Sequence, residues 1–250
     1  MPLDKPTTST QPSASDAKMT TSNTTPNAAP LAKPSTGIKL PGLHARLRNP
    51  DLNKVMDPTK CANRLALMLD VSGSMQGQKI ASLRDAVTGF ITNCDMHDTA
   101  LALEPFGDDY PSPNRLSLTN MQPILMTTAQ MLKSDGCTPM ARAMDYVLNT
   151  YSITRGVLVS DGRPDSEQEA YASAACYREA GIMVDCVHIG DSTSGEECLK
   201  KIAEITGGQY IKFTDVASFS KSFKYLTPAF YGILTSGGID AEYLGAKELK

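Results

Sequence analysis

The sequence has no CxxC pair among its six cysteines (Cys61, Cys94, Cys137, Cys176, Cys186, Cys198), and without one a zinc knuckle is poorly supported. Its three histidines, His44, His97 and His188, are scattered, so each reads as a surface or core residue rather than a ligand. No apolar run reaches the ~18 residues that a membrane-spanning helix requires. The opening stretch MPLDKPTTSTQPSASDAK lacks the apolar centre of an export signal. There is no excess of positive charge: 24 Lys and Arg against 27 Asp and Glu leave a formal net charge of -3, which gives no footprint for nucleic acid. DVSGSMQGQK lacks the G-K-[ST] ending of a P-loop, SGSMQG is not G-x-G-x-x-G, and Ser72 sits in no G-x-S-x-G elbow. No internal repeat is visible. These absences lead us to expect a cytoplasmic protein with neither a nucleic-acid nor a membrane partner. Its thiols should be mostly reduced and structural, with the even cysteine count leaving disulfides open.

What is present is a chain of 250 residues, 41% hydrophobic, enough for one sizeable core. Residues 1–36 are rich in Thr, Ser, Pro and Ala and nearly free of large apolar side chains. Such a segment cannot repay its ordering entropy, so it is predicted to be a disordered tail, serving as a tether or as a partner-recognition arm. Residues 37–60 read as a linker or edge segment, 61–235 as the folded domain, and 236–250 as a loose C-terminal tail.

Within 61–235 the patterns alternate. RLALMLD, TALALEPFG, RGVLVSDG, IMVDCVHIG and QYIKFT read as strands, with RLSLTN a short additional one. Between them, helical spacing covers Ile80 to Cys94, Pro139 to Tyr151, Glu167 to Ala180 (stopped by Gly181), GEECLKKIAEITGG, and Val216 to Leu226. Several strands are continuous apolar runs, as expected where both sheet faces are covered. The predicted fold class is α/β, doubly wound, with a mainly parallel central sheet and helices on both faces. Such sheets place ligands at the carboxyl ends of their strands.

Asp70 closes the first strand, with Ser72 and Ser74 in the turn that follows and Gly73 between them. Asp161 closes the VLVSD strand, and Thr138 lies in the DGCTP loop before a helix. Parallel strands bring both acids to one rim, and an ordinary connection brings Thr138 there too. Two carboxylates and three hydroxyls form a hard, oxygen-only set that suits magnesium or manganese better than zinc or copper.

These residues resemble a known family. DVSGS resembles the D-x-S-x-S signature of the von Willebrand factor A domain. Thr138 in GCTP resembles that family's metal-site threonine, with Cys137 where a glycine is frequent, and Asp161 in VLVSDGRPD resembles its second aspartate. The similarity spans roughly Arg64 to Leu226. The resemblance implies a Rossmann-like fold and a metal-ion-dependent adhesion site on Asp70, Ser72, Ser74, Thr138 and Asp161. It implies Mg2+, with Mn2+ as a substitute. The serines, and sometimes the threonine, would bind the ion directly, and the aspartates often through water. An open position would accept an Asp or Glu of a partner protein, without enzymatic turnover. Through the family's stand-alone intracellular members it further suggests an adaptor beside an AAA+ ATPase, or in a stress or defence module such as a tellurite-resistance-like system.

Two other readings compete. Aspartates commonly end strands and serines commonly cap helices, so the set could be a structural assembly feature without a working site. A strand-end Asp70 could also serve a metal-dependent phosphoryl-transfer hydrolase, although Ser72 stands where such enzymes usually place a second acid. Around the rim, Arg163 and Asp165 are candidates for partner contact or simply members of a turn built by Gly162 and Pro164. Gln76 and Met75 are rim candidates too, Met75 alternatively packing at the helix entrance. Glu104, Asp108 and Asp109 are expected in a solvated loop, the Lys200–Lys201 pair on one helix face. Tyr225 to Leu234 reads as a core segment or an interaction edge.

Overall fold

A computed structural model describes residues 57–223 apart from residue 109. The predicted tail, most of the linker segment, Asp109, the stretch Tyr225 to Leu234 and the C-terminal tail lie outside the described residues.

The strands are β1 (Asn63–Asp70), β2 (Thr99–Phe106), β3 (Leu116–Thr119), β4 (Arg155–Ser160), β5 (Met183–Ile189) and β6 (Tyr210–Phe213). They form one sheet in the order β3-β2-β1-β4-β5-β6, all parallel except β3, which runs antiparallel to β2. The helices are α1 (Gln78–Asn93), α2 (Gln122–Gln130), α3 (Met140–Thr150), α4 (Glu167–Glu179), α5 (Thr193–Thr206) and α6 (Val216–Ser222).

Strand side chains alternate across the sheet, and β1 shows why it reads as an unbroken apolar run. Leu65, Leu67 and Leu69 pack beneath α1, α2 and α6 with Leu83, Phe90, Leu125 and Phe219. Ala66 and Met68 pack on the other face beneath α3, α4 and α5 with Met144, Tyr177 and Ile202. Three helices therefore cover each face, which is the doubly wound arrangement expected from the alternating pattern.

Element limits follow local chemistry. Ser166 caps α4 by accepting from the Glu169 N–H, and Ser192 caps α5 by accepting from the Gly195 N–H. Gly207, in the left-handed region at φ +73°, ends α5.

Helix α2 has no counterpart in the sequence reading. Its run QPILMTTAQ is short, opens on a proline in its first turn and leaves Ile124 and the flanking Met121 and Met131 exposed, so no clear apolar stripe marks it. Glu104 corrects the expectation of a solvated loop acid. It lies inside β2, fully buried, where its carboxylate accepts a hydrogen bond from the Tyr151 hydroxyl at 3.2 Å and burial raises its pKa. Lys200 and Lys201 do lie on an exposed helix face, paired with Glu196 and Glu204. Cys61, Cys137, Cys176, Cys186 and Cys198 are free thiols; Cys137 and Cys176 are exposed, and Cys61, Cys94, Cys186 and Cys198 are buried.

The two ends of the sheet differ. At the amino end of β4, buried Arg155 makes a two-pronged ion pair with buried Asp185 (2.5 and 2.9 Å), and the Gln209 N–H donates to the same carboxylate. At the carboxyl end, the chain departs from β1 toward β2 on one side, while β4 lies on the other. The switch in strand order falls between β1 and β4, where an open α/β sheet leaves a crevice.

Candidate metal centre

Asp70 ends β1 at this crevice. One carboxylate oxygen accepts from the Ser72 N–H at 2.8 Å and turns the chain; the other accepts from the Ser160 hydroxyl of β4 at 2.5 Å. The chain then makes a single 3-10 turn, Gly73–Met75, closed by the Met75 N–H on the Ser72 carbonyl. That turn sets the Ser72 and Ser74 hydroxyls 3.0 Å apart. The Ser74 hydroxyl donates to Asp161 Oδ1 at 2.7 Å, so the residue that follows β4 meets the loop that follows β1. The close fit extends to α5: a Cβ at Gly195 would come within 2.9 Å of the Gly162 backbone, so glycine lets that helix reach the Asp161 loop.

Thr138 arrives from the loop between α2 and α3. Gly136 takes φ +69°, and a Cβ there would fall 1.8 Å from Asp108 Cβ. Its carbonyl accepts from the Gly73 N–H at 2.9 Å, and the Asp135 N–H donates to the Val71 carbonyl at 2.7 Å. The Thr138 N–H donates to the Asp165 carboxylate (2.9 Å), while the Asp165 N–H donates to the Thr138 carbonyl (3.0 Å). The loop is thus bonded to the serine turn on one side and to the chain just past Asp161 on the other.

Of the five predicted site residues, Asp70, Ser72, Ser74 and Asp161 form one hydrogen-bonded group, and backbone bonds hold Thr138 on the same rim. Gln76 and Arg163 are exposed there, Arg163 paired with Glu167. Asp165 is exposed and braces Thr138. Met75 is corrected: the 3-10 turn drives its side chain into the core beneath α1, fully buried and out of a partner's reach. Two participants were not anticipated. Ser160 holds Asp70, and Lys79, at the start of α1, pairs its ammonium with Asp161 Oδ2. The alternation of β4 could have flagged Ser160 as the neighbour of a strand-end acid; no local signal links Lys79 to a residue so far along the chain. A polar cleft of about 390 Å³ opens beside the serine turn, lined by Val71, Gly107, Asp108, Asn114, Lys133 and Asp135.

Burial pushes the Asp70 carboxyl up to about 6; the serine hydrogen bonds oppose this, and the nearby Asp161 charge adds to it. A buried carboxylate with only neutral partners calls for a cation. The donors are hard oxygens, and among the described residues no three His, Cys, Asp or Glu side chains converge, so a nitrogen- or sulfur-based centre is not formed there. The 3.0 Å between the two serine hydroxyls also suits adjacent positions around an octahedral magnesium ion, which stand about 3 Å apart when each bond is about 2.1 Å.

The sequence matches the von Willebrand factor type A domain over residues 65–225, more than half of the chain, and the chain belongs to that family. Among solved structures, the fold is similar to proximal thread matrix protein 1 from the mussel byssus (TM-score 0.55, 12% identity, 67% of this chain and 45% of that one). A second structure of that mussel protein has its MIDAS motif occupied by zinc (TM-score 0.54, 12% identity, 68% and 46%). The pilus adhesin SpaC from Lactobacillus rhamnosus GG, in its open conformation, is similar at TM-score 0.58 and 14% identity (68% of this chain, 30% of that one). The SpRpn10 VWA domain is similar at TM-score 0.51 and 15% identity (63% and 94%). At these identities the likeness is one of fold. The chain spans less than half the length of the mussel protein and under a third of the adhesin. No curated protein matches it. Among the described residues no helix is long and apolar enough to cross a membrane.

Proposed function

We propose that the domain is a magnesium-dependent protein-binding adaptor that captures an acidic residue of a partner. The observation that carries this reading is the meeting of Asp70 and Asp161, from the ends of the two strands flanking the switch point, through the serine turn: the Ser72 N–H donates to Asp70, the Ser72 and Ser74 hydroxyls stand 3.0 Å apart, and the Ser74 hydroxyl donates to Asp161. Ser72, Ser74 and Thr138 would hold a divalent cation directly, with Asp70 and Asp161 behind them. Neutral hydroxyl ligands leave the ion without a directly bound anion, so it supplies an open position for a partner's Asp or Glu. Manganese would substitute for magnesium. Gln76, Arg163 and Asp165 surround this position and are available for contact.

The same geometry speaks against phosphoryl transfer. Asp70 is fully buried and both its oxygens are engaged, a poor arrangement for a nucleophile. We take the protein to act by binding and without turnover, in the cytoplasm, with an AAA+ ATPase as the partner class its family resemblance suggests.

Thermal denaturation with magnesium or manganese, with and without chelator, tests the site. Wild type gains stability with metal in proportion to RT ln(1 + [L]/Kd) and loses that gain to chelator. Asp70→Ala shows no metal gain and no metal-dependent capture of the partner in a pull-down. A full metal response in Asp70→Ala would refute the ligand assignment.

A further inference from the structure

Asp70 and Asp161 are both buried acids at one rim, yet their surroundings differ. Asp70 meets only uncharged donors, the Ser72 N–H and the Ser160 hydroxyl. Asp161 has both oxygens engaged, Oδ1 by the Ser74 hydroxyl and Oδ2 by the Lys79 ammonium. The Asp161 side chain is 1% exposed and that of Lys79 is 34% exposed, so the ammonium reaches the carboxylate from the solvent side on a tethered stem. Lys79 is the second residue of α1, which begins just behind the serine turn. The protein thus carries its own cation on one of the two acids that would stand behind the metal.

We propose that Lys79 is an internal competitor of the metal ion, lowering its affinity and making its retention depend on the partner's carboxylate. This rests on the proposed metal site. The reasoning is charge balance. Two aspartates match one divalent ion, and Lys79 adds a further positive charge within contact distance of one of them. A divalent ion beside Lys79 leaves the site with one surplus positive charge. Either the ammonium is displaced from Asp161, which costs the ion pair, or it stays and repels the ion. Both routes weaken metal binding in isolation. The surplus is cancelled when a partner's Asp or Glu arrives, so ion and partner each favour the other's binding, as linkage requires. The opposite role, in which Lys79 merely orients Asp161 as a ligand, predicts the opposite sign.

Isothermal titration with magnesium alone decides between them, using the full chain as wild type, Lys79→Gln, Lys79→Met and Lys79→Arg. Loss of a partly exposed competing charge tightens magnesium binding about tenfold in Lys79→Gln and Lys79→Met. Lys79→Arg keeps the charge and stays near wild type. In chelator, thermal denaturation shows Lys79→Gln and Lys79→Met less stable than wild type, because Asp161 loses its counter-ion. Magnesium binding seen only in the neutral variants also supports competition. Weaker or unchanged binding in Lys79→Gln and Lys79→Met overturns it and leaves Lys79 a positioning or purely structural residue. Absence of binding in all four proteins refutes the metal site itself, and this proposal with it.

Discussion

Replacing Asp70 by asparagine should make the protein more stable in chelator while removing its response to magnesium. The side chain is fully buried, and burial raises its pKa from the ordinary 3.8 to about 6. The folded state therefore holds this proton more tightly than the unfolded chain. Below about pH 4 both states are protonated and the residue costs nothing; the cost builds as pH rises through the interval up to about 6 and is complete above it. Roughly two pH units at about 1.4 kcal/mol each give about 3 kcal/mol of destabilisation at neutral pH. Asparagine keeps an acceptor for the Ser72 N–H and offers a donor to the Ser160 hydroxyl, at the loss of the extra strength of charged hydrogen bonds. The net gain is then about 1–3 kcal/mol, or roughly 2–12 °C in Tm for a domain of this size. Calorimetry in chelator at neutral pH and near pH 4 is the assay. The variant should lie above wild type at neutral pH, and the gap should close in acid. Addition of magnesium should raise wild type alone. A gap that does not change with pH, or a variant less stable than wild type in chelator at neutral pH, would show that Asp70 is not an unfavourable buried charge.

Gly136→Ala should cost about 1–3 kcal/mol in urea titration and weaken magnesium binding in calorimetric titration, because the new methyl collides with Asp108 and disturbs the Gly136–Gly73 bond that holds the Thr138 loop. An equally stable variant with unchanged affinity would refute that account of the loop. Arg155→Met should cost about 3–5 kcal/mol by stranding Asp185 without its counter-charge. Its folded fraction should bind magnesium as wild type does, since the pair lies at the opposite end of the sheet; a changed Kd would reveal coupling along β4.

The sequence made the two strand-end acids and the serine turn visible because each is local. An apolar run that stops on Asp70 or Asp161 marks a strand end, and parallel strands put such ends on one side. Thr138 was placed on the rim only by assuming an ordinary connection into its helix; what holds it there is a backbone bond from Gly73 to Gly136 and a reciprocal pair with Asp165, neither of which has a periodic signature. Met75 was left open because residues in an irregular turn have no fixed facing, and only the 3-10 geometry sends it inward. Glu104 could have been read correctly. It sits in TALALEPF, itself recognised as a strand, and a central strand covered on both faces leaves no solvated position. Lys79 escaped because an ion pair between distant segments is a property of the assembled fold, and α2 because its apolar residues face outward as well as inward.

The candidate metal-binding rim draws on the end of β1, the loop before α3 and the end of β4, which are far apart along the polypeptide. A nascent chain emerging from the ribosome has no such site until β4 has slotted beside β1 and the α3 loop has closed over the serines. Long-range pairings of this kind form late in folding. An ion held at this rim would therefore not seed the fold; it would bind only once β1, β4 and the loop before α3 have come together.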